Sequence, residues 1–172
     1  MTAWIEQPIS RDHDRAGFDC GVPALNIYLS RYARQNHEGG GARTFVAVSP
    51  DEPSRVLGYY TISPSDIAFA AVPHRIVRHL GQYDVPVYRL GRIAVSLPQQ
   101  GGGIGTDLLF AAGTRAIAVA RQVGGIALAI DAKDEAAARW YERFGALRLL
   151  DDPSKLVLPL DIIEASIRKA RV

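Results

Sequence analysis

The sequence predicts an α/β protein with a mixed central β-sheet flanked by helices, and three observations support this class. Two strand-like segments, residues 44–49 and 56–63, are separated by a short proline-containing turn, which predicts an antiparallel hairpin. From residue 87 onward, strand-like and helical segments alternate, which predicts parallel crossovers. The β-branched and aromatic residues are concentrated in the strand-like segments. A hairpin followed by crossovers gives a sheet of mixed direction.

Bulk composition bounds the class of protein. The chain has 172 residues, of which 48% are hydrophobic and 22% charged, so we expect a single globular domain over residues 1–172. No apolar run is long enough to span a membrane, and the first ten residues lack a secretory pattern, so we expect a cytoplasmic protein. The single cysteine excludes an intrachain disulfide, and with four scattered histidines it gives no metal-ligand spacing. A net charge of +2 is too small to indicate nucleic-acid binding by itself.

The first half of the chain begins with a predicted strand at residues 3–7 and a helix whose first turn contains Pro23. Glycines at 39–41 end this helix, and the hairpin follows. Pro64 is expected to break the second hairpin strand, with a short edge strand at 67–71. The apolar face of the first helix is predicted from the helical period to comprise Leu25, Tyr28, Leu29 and Tyr32.

The second half contains a short helix somewhere in residues 73–83 and then the most apolar strand, at 87–95. A long helix is predicted at 104–123 and a buried strand at 126–130. The apolar face of the long helix is predicted to comprise Leu108, Leu109, Ala112, Ala116 and Val119.

The end of the chain predicts a helix at 135–144 that Asp134 caps and Gly145 terminates. Strands are expected at 146–150 and 155–160. A final helix, with Asp161 as its cap, is expected at 161–171.

The glycine-rich stretch before the long helix has the sequence Gln100-Gly101-Gly102-Gly103-Ile104-Gly105-Thr106. A glycine turn between a strand and a helix N-terminus leaves N–H groups pointing outward at the positive end of the helix dipole, which suits a phosphate. The dinucleotide and nucleotide-triphosphate fingerprints both fail, because Thr106 replaces a glycine in the first and a lysine in the second. On its own, the loop fits either a pyrophosphate that is held without being transferred or a plain turn.

Two motifs carry a family resemblance. The loop and the strand Leu90-Gly91-Arg92-Ile93-Ala94-Val95 resemble the acetyl-CoA motif of GNAT N-acetyltransferases, and Trp140-Tyr141-Glu142-Arg143-Phe144-Gly145 resembles a second GNAT signature. Segments 18–29, 42–47 and 56–63 narrow the resemblance to the GNAT toxins of bacterial type II toxin–antitoxin systems, the TacT and AtaT type. This resemblance covers roughly residues 4–160. It implies the GNAT fold, in which one pair of sheet strands is splayed apart. It also implies acetylation of the α-amine of aminoacyl-tRNA, which blocks translation.

The resemblance further implies which residues contact acetyl-CoA. Strand groups at Ile93 and Val95 would pair with the pantetheine arm, while Asp134 and Ala137 would lie near the lower part of the cofactor. No metal is implied. The loop residues expected at the pyrophosphate are Gln100, Gly101, Gly102, Gly103, Gly105 and Thr106.

Tyr141 is the predicted catalytic residue, because a tyrosine hydroxyl near the thioester sulfur can protonate the departing thiolate. The alternative is a tyrosine that only packs on the sheet beside Trp140 and Phe144. The α-amine has a pKa of about 7.7–8.0 against about 10.4 for lysine, so a strong general base is not obligatory.

The substrate implied by the resemblance is a tRNA, which needs phosphate contacts. Arg92 is expected either to orient the acceptor end or to form a buried ion pair. The implied partners are a ribbon-helix-helix antitoxin with a disordered tail and a second copy in a homodimer. Alternative functions are acetylation of a protein or small-molecule amine, and binding of CoA without turnover. The arginines predicted to contact tRNA are Arg75, Arg78, Arg89 and Arg92.

Overall fold

The structure, a computed structural model, describes residues 3–171 as a seven-stranded mixed sheet with helices. The strands are β1 (Ile5–Pro8), β2 (Arg43–Ser49), β3 (Glu52–Ile67), β4 (Val85–Val95), β5 (Ala127–Asp131), β6 (Leu147–Arg148) and β7 (Lys155–Pro159). The helices are α1 (Pro23–Ile27), α2 (Ala33–Glu38), α3 (His74–Val77), α4 (Ile104–Val123), α5 (Glu135–Glu142) and α6 (Leu160–Ala170). A π-helical segment (Tyr28–Tyr32) joins α1 to α2, and 3₁₀ turns lie at Phe69–Ala71 and Leu97–Gln99.

The strand order is β1-β2-β3-β4-β5-β7-β6. The hairpin of β2 and β3 is antiparallel, as is the pairing of β1 with β2 and of β7 with both β5 and β6. The pairing of β4 with β5 is parallel, with α4 as the crossover. The predicted α/β class with a mixed sheet is therefore confirmed.

The described pairing of β4 with β5 stops before β4 ends. Residues Tyr88–Leu90 of β4 face Leu128–Ile130 of β5, and β5 stops one residue later at Asp131. The strand β4 continues through Val95, and the described register gives its last five residues no partner in β5. The described pairing with β5 thus leaves backbone groups at the end of β4 without a partner on that side, as a splayed pair requires.

The chain divides into two compact units. The first comprises the residues up to Ser63 with Arg92–Leu109, and the second comprises Pro64–Gly91 with the residues from Phe110 onward. The single domain expected from length stays a prediction. No helix among residues 3–171 is both long and apolar enough to cross a bilayer. The first unit has a core of Ile9, Phe18, Tyr28, Leu29, Val46, Val48, Val56 and Tyr59, and the second has one of Val72, Val77, Val85, Val87, Ala127, Leu149 and Val157.

Pro64 does not break β3, contrary to the sequence-based expectation. The strand runs on to Ile67, and a 3₁₀ turn occupies Phe69–Ala71, where an edge strand was expected. The pairing of β3 with β2 ends at Ile62, so the missing N–H of Pro64 removes no hydrogen bond on that side. A proline beyond the paired region is compatible with an extended backbone.

Three positions in the helices also differ from expectation. Tyr32 is 51% exposed, because the π-helical segment has i→i+5 bonds and rotates it away from the face predicted from the α-helical period. Val119 is exposed because the last turns of α4, up to the largely exposed Val123, extend beyond the packed part of the helix. Asp161 lies in the first turn of α6, whose N-cap position is taken by Pro159.

Candidate active site

The glycine loop follows β4 after the 3₁₀ turn Leu97–Gln99, and two of its glycines have backbone conformations that other residues rarely adopt. Gly101 has φ +83° and Gly103 has φ +94°. A Cβ built at either position meets no heavy atom within 4 Å. These glycines are therefore required by the backbone conformation and not by crowding, and the space in front of them is open to a ligand.

The loop presents a set of N–H groups without backbone acceptors. Among residues 3–171, no backbone hydrogen bond is described for the N–H of Gly101, Gly103, Gly105 or Thr106. Gly102 differs, because its N–H donates to the Gln99 carbonyl at a long 3.4 Å. The unpaired groups lie at the N-terminus of the 20-residue helix α4, where the helix dipole favours negative charge. The arrangement fits the pyrophosphate that the sequence predicts.

Gln100 has a structural role within this loop. Its side-chain Nε2 donates to the carbonyl oxygens of Cys20 and Val95, both at 2.9 Å. These bonds tie the start of the loop to the end of β4 and to the segment before α1. The Gln100 amide thus fixes the loop conformation, and the Val95 carbonyl is already engaged.

Tyr141 lies near the C-terminal end of α5 and is only 6% exposed. Trp140 lies 4.9 Å away between ring centroids, and Phe144 packs against Trp140 at the same separation. Burial raises the pKa of the Tyr141 phenol, so it stays protonated well above neutral pH. No hydrogen bond of its hydroxyl is described among residues 3–171. Tyr141 is thus packed against aromatic neighbours, as expected if its role is structural. Its hydroxyl is also protonated and donates no described hydrogen bond, so its proton is available to a substrate.

The start of α5 is fixed by Asp134, whose Oδ1 accepts a 2.7 Å hydrogen bond from the Ala137 N–H. The predicted N-cap is therefore confirmed. The bond occupies the Ala137 N–H within the helix, so any contact of Ala137 with a cofactor must come from its methyl group. The contribution of both residues to acetyl-CoA binding stays a prediction.

Arg148 stabilises α5 through hydrogen bonds to two of its glutamates, a role that was not predicted from the sequence. Its guanidinium bonds to Glu135 at 2.7 and 2.9 Å and to Glu142 at 2.7 Å. These charge-assisted bonds lower the pKa of Glu135 and connect the two ends of the helix to β6. The available signal was that Glu135 and Glu142 are seven residues apart, and therefore on one helix face.

Arg92 does not form the buried ion pair that was one of its two interpretations. Its guanidinium carbon lies 3.6 Å from the centroid of the buried Tyr28 ring, and no ion pair of Arg92 occurs in the described part of the chain. The Tyr28 hydroxyl accepts a hydrogen bond from Asn36. The Tyr28 ring therefore holds Arg92 through a cation–π contact while leaving its N–H donors free for a ligand.

The other predicted arginines divide into two settings. Arg89 forms a 2.6 Å ion pair with Asp131. It lines a 500 Å³ cavity together with Lys155 and four aspartates. Arg75 and Arg78 are exposed on and after α3, and both line a separate 730 Å³ cavity. Within residues 3–171 neither of these two is ion-paired, so their charge is available to an anion. The four aspartates of the first cavity are Asp66, Asp131, Asp151 and Asp152.

In the described part of the chain, no group of three or more histidine, cysteine, aspartate or glutamate side chains is placed to hold a metal ion. What the described residues offer is a glycine loop whose N–H groups lack described backbone acceptors, a strand end without a described partner in β5, and a buried phenol.

Comparison with known proteins identifies the family to which the chain belongs. The model of the acetyltransferase (GNAT) family matches residues 11–146. The chain belongs to this family. It is 35% identical over 150 residues to a tRNA-acetylating toxin of Mycobacterium tuberculosis (strain ATCC 25618 / H37Rv), covering 87% of this chain and 88% of that protein.

Solved structures extend the similarity. AtaT complexed with acetyl-methionyl-tRNAfMet is 27% identical with a TM-score of 0.89, covering 96% of this chain and 99% of AtaT. A tyrosine-to-phenylalanine mutant of AtaT, bound to acetyl-CoA and to the C-terminus of the antitoxin AtaR, is 26% identical with a TM-score of 0.81, covering 95% and 98%. As a GNAT enzyme, the chain is an acetyltransferase that uses acetyl-CoA.

Proposed function

We propose that this GNAT enzyme is the toxin of a toxin–antitoxin pair and transfers acetyl from acetyl-CoA to the α-amine of aminoacyl-tRNA. The observation that carries the donor half is the row of N–H groups at the N-terminus of α4, for which no backbone acceptor is found among residues 3–171, together with the end of β4, which has no described partner in β5. The acceptor half is supported by the similarity to the tRNA-acetylating toxin and to AtaT.

Acetyl-CoA binds in this proposal through backbone groups. The loop N–H groups of Gly101, Gly103, Gly105 and Thr106 donate to the pyrophosphate, because glycine lets the backbone approach closely. The backbone of β4 around Ile93 and Val95, apart from the Val95 carbonyl that Gln100 already occupies, pairs with the pantetheine arm and stabilises the developing oxyanion. Gln100 keeps the strand and loop in register through its two hydrogen bonds.

The reaction needs one proton donor. The neutral α-amine attacks the thioester carbonyl, and the nitrogen of the tetrahedral intermediate releases its extra proton to water. The C–S bond then breaks as Tyr141 gives its phenolic proton to the departing sulfur as general acid, and the phenolate regains a proton from solvent. Burial keeps that phenol protonated until then and thereby supports the assignment.

The identity of the acceptor amine sets the need for a base. With a pKa of about 7.7–8.0, roughly a tenth of an α-amine is neutral at pH 7, against well under a thousandth of a lysine side chain at about 10.4. An α-amine substrate therefore reacts without a strong general base.

The tRNA is held in this proposal by arginines. Arg75 and Arg78 are exposed and form no ion pair within residues 3–171, so they bind phosphates without first breaking one. Arg92, supported by Tyr28, orients the acceptor end. Arg89 contributes less charge because Asp131 neutralises part of it.

A second candidate acceptor is a small or protein-borne amine. The cavity of Arg89 carries four aspartates against one arginine and one lysine, and this negative balance attracts a protonated amine. An acetylation assay that compares aminoacyl-tRNA with a small amine distinguishes the two acceptors.

The remaining parts of the proposal concern assembly. We propose that the chain is a single GNAT domain that works in the cytoplasm and forms a homodimer. Its antitoxin combines a ribbon-helix-helix DNA-binding half with a disordered tail that covers the substrate surface.

The decisive test is acetylation of charged tRNA. Radiolabelled acetyl-CoA is incubated with the protein and one of three acceptors: aminoacyl-tRNA, the same tRNA without its amino acid, or a small primary amine. Label is expected only in the aminoacylated sample, and expression without antitoxin is expected to arrest growth. Label on a small amine with none on aminoacyl-tRNA would transfer the function to the second candidate.

A further inference from the structure

The segment between α3 and β4 presents an aromatic ring to solvent. Tyr83 is 81% exposed, the largest exposed fraction among the large hydrophobic side chains of the described residues. A Cβ placed on Gly81 would lie 3.0 Å from two carbons of the Tyr83 ring, and the Tyr83 N–H donates to the Gly81 carbonyl at 2.9 Å. The ring thus rests against a glycine and is held by a tight turn, while most of its surface is open.

The setting of this ring is basic. Residues 73–83 contain two arginines and two histidines and no acidic residue; Asp84 follows immediately. All four basic side chains are exposed, and in the described part of the chain none is ion-paired. The four are His74, Arg75, Arg78 and His79.

An exposed tyrosine alone needs no explanation, since single apolar groups are common on protein surfaces. An exposed aromatic ring among unpaired arginines is the combination that binds unpaired nucleotides, because bases stack on the ring and phosphates pair with the cations. Tyr83 is also outside the 730 Å³ cavity that Arg75, Arg78, His79 and Leu80 line, so an apolar peptide seated in that cavity does not need the ring.

We infer that Tyr83 stacks on an unpaired base of the tRNA substrate while Arg75 and Arg78 hold neighbouring phosphates. This inference rests on the proposed function and adds to it a contact that is independent of phosphate charge. Tyr83 is a binding residue and not a catalytic one, so it sets the affinity for tRNA without changing the affinity for acetyl-CoA.

The test compares Tyr83→Ala and Tyr83→Phe in steady-state acetylation of aminoacyl-tRNA. The alanine variant is expected to raise KM for the tRNA by about 5- to 100-fold, the range for loss of one stacked base, with kcat and the Kd of acetyl-CoA unchanged. The phenylalanine variant keeps the ring and is expected to stay within about twofold of the parent. Leu150→Ala is the control, because Leu150 is 68% exposed beside two aspartates.

Salt dependence separates stacking from charge. Tyr83→Ala is expected to leave the slope of log KM against log salt unchanged, whereas Arg75→Gln lowers it by about one. Unchanged KM in Tyr83→Ala, with active parent enzyme, would overturn the inference and leave the proposed function intact. Unchanged KM together with altered association of protomers or weaker antitoxin binding would make the ring part of a protein interface. A parent without activity on aminoacyl-tRNA would instead overturn the proposed function.

Discussion

The glycine loop and the surroundings of Tyr141 offer a ligand different kinds of groups: the loop offers backbone N–H groups, and Tyr141 offers a side-chain hydroxyl. The loop works through its backbone: four of its N–H groups have no backbone acceptor among residues 3–171, two of its glycines have positive φ, and a Cβ built on either meets no heavy atom within 4 Å. Tyr141 works through one side-chain atom in a buried aromatic cluster. Substitutions in the loop should therefore act through shape and charge, whereas at Tyr141 removal of a single oxygen is the informative change.

The largest effect is expected for Gly103→Glu. A carboxylate about 4 Å from a phosphate charge is unfavourable by about 4 kcal/mol at an effective dielectric constant of 20, and a non-glycine residue at φ +94° adds about 1–3 kcal/mol of strain. The strain lowers the stability of the free and the bound enzyme alike, so the charge repulsion alone sets the change in acetyl-CoA affinity, which should fall by about 10³-fold when measured by calorimetry.

The matched control is Gly40→Glu. Gly40 has φ +79° and, like Gly103, has no heavy atom within 4 Å of a built Cβ. It lies after α2, away from the loop in sequence. This variant should show a similar strain, measured by thermal unfolding, and normal acetyl-CoA affinity. If both variants bind acetyl-CoA normally, the loop is a plain turn.

The next largest effect is expected for Tyr141→Phe, which keeps the packing with Trp140 and removes the proton donor. Loss of a general acid lowers kcat by about 10²–10⁴-fold. Acetyl-CoA affinity and thermal stability should hardly change, because no protein hydrogen bond of the hydroxyl is described. Normal kcat in this variant would assign Tyr141 to packing alone.

The pH dependence of the rate provides a second test of Tyr141 as the general acid. Burial raises the pKa of Tyr141, so the acid form persists through pH 10, where an ordinary tyrosine ionises. The rate should rise from pH 6 to about 8 as the α-amine loses its proton, and then stay level to pH 10. A decline between pH 9 and 10 would contradict a buried phenol as the acid.

The same contrast between backbone and side chains separates the features that could be predicted from the sequence from those that could not. The loop and the helix Ile104–Val123 were predictable, because glycine spacing and helical period are local properties. The cap formed by Asp134 was predictable for the same reason. The partners of Arg92, Arg89 and Arg148 were not, since they depend on which elements the fold brings together.

A smaller effect is expected for Arg75→Gln and Arg78→Gln, which test side-chain contacts at the surface. Each removes one phosphate contact, so the slope of log KM against log salt should fall by about one per substitution, while acetyl-CoA affinity stays constant. Arg168→Gln on α6 is the control, because Arg168 is an exposed arginine paired with Glu164 at 3.4 Å. Equal slopes for all three variants would remove this surface from the tRNA contact.

The smallest effect is expected for Asp134, which separates a structural role from contact with the cofactor. Asp134→Ala removes the 2.7 Å cap of α5, which should destabilise the protein by about 1 kcal/mol and lower Tm by about 2–4 °C. Asp134→Ser also caps a helix well and should restore most of that stability. If Asp134 only caps, the serine variant recovers kcat together with Tm. If it recovers Tm while acetyl-CoA affinity remains reduced, the carboxylate contacts the cofactor, and a side chain joins the backbone groups in binding acetyl-CoA.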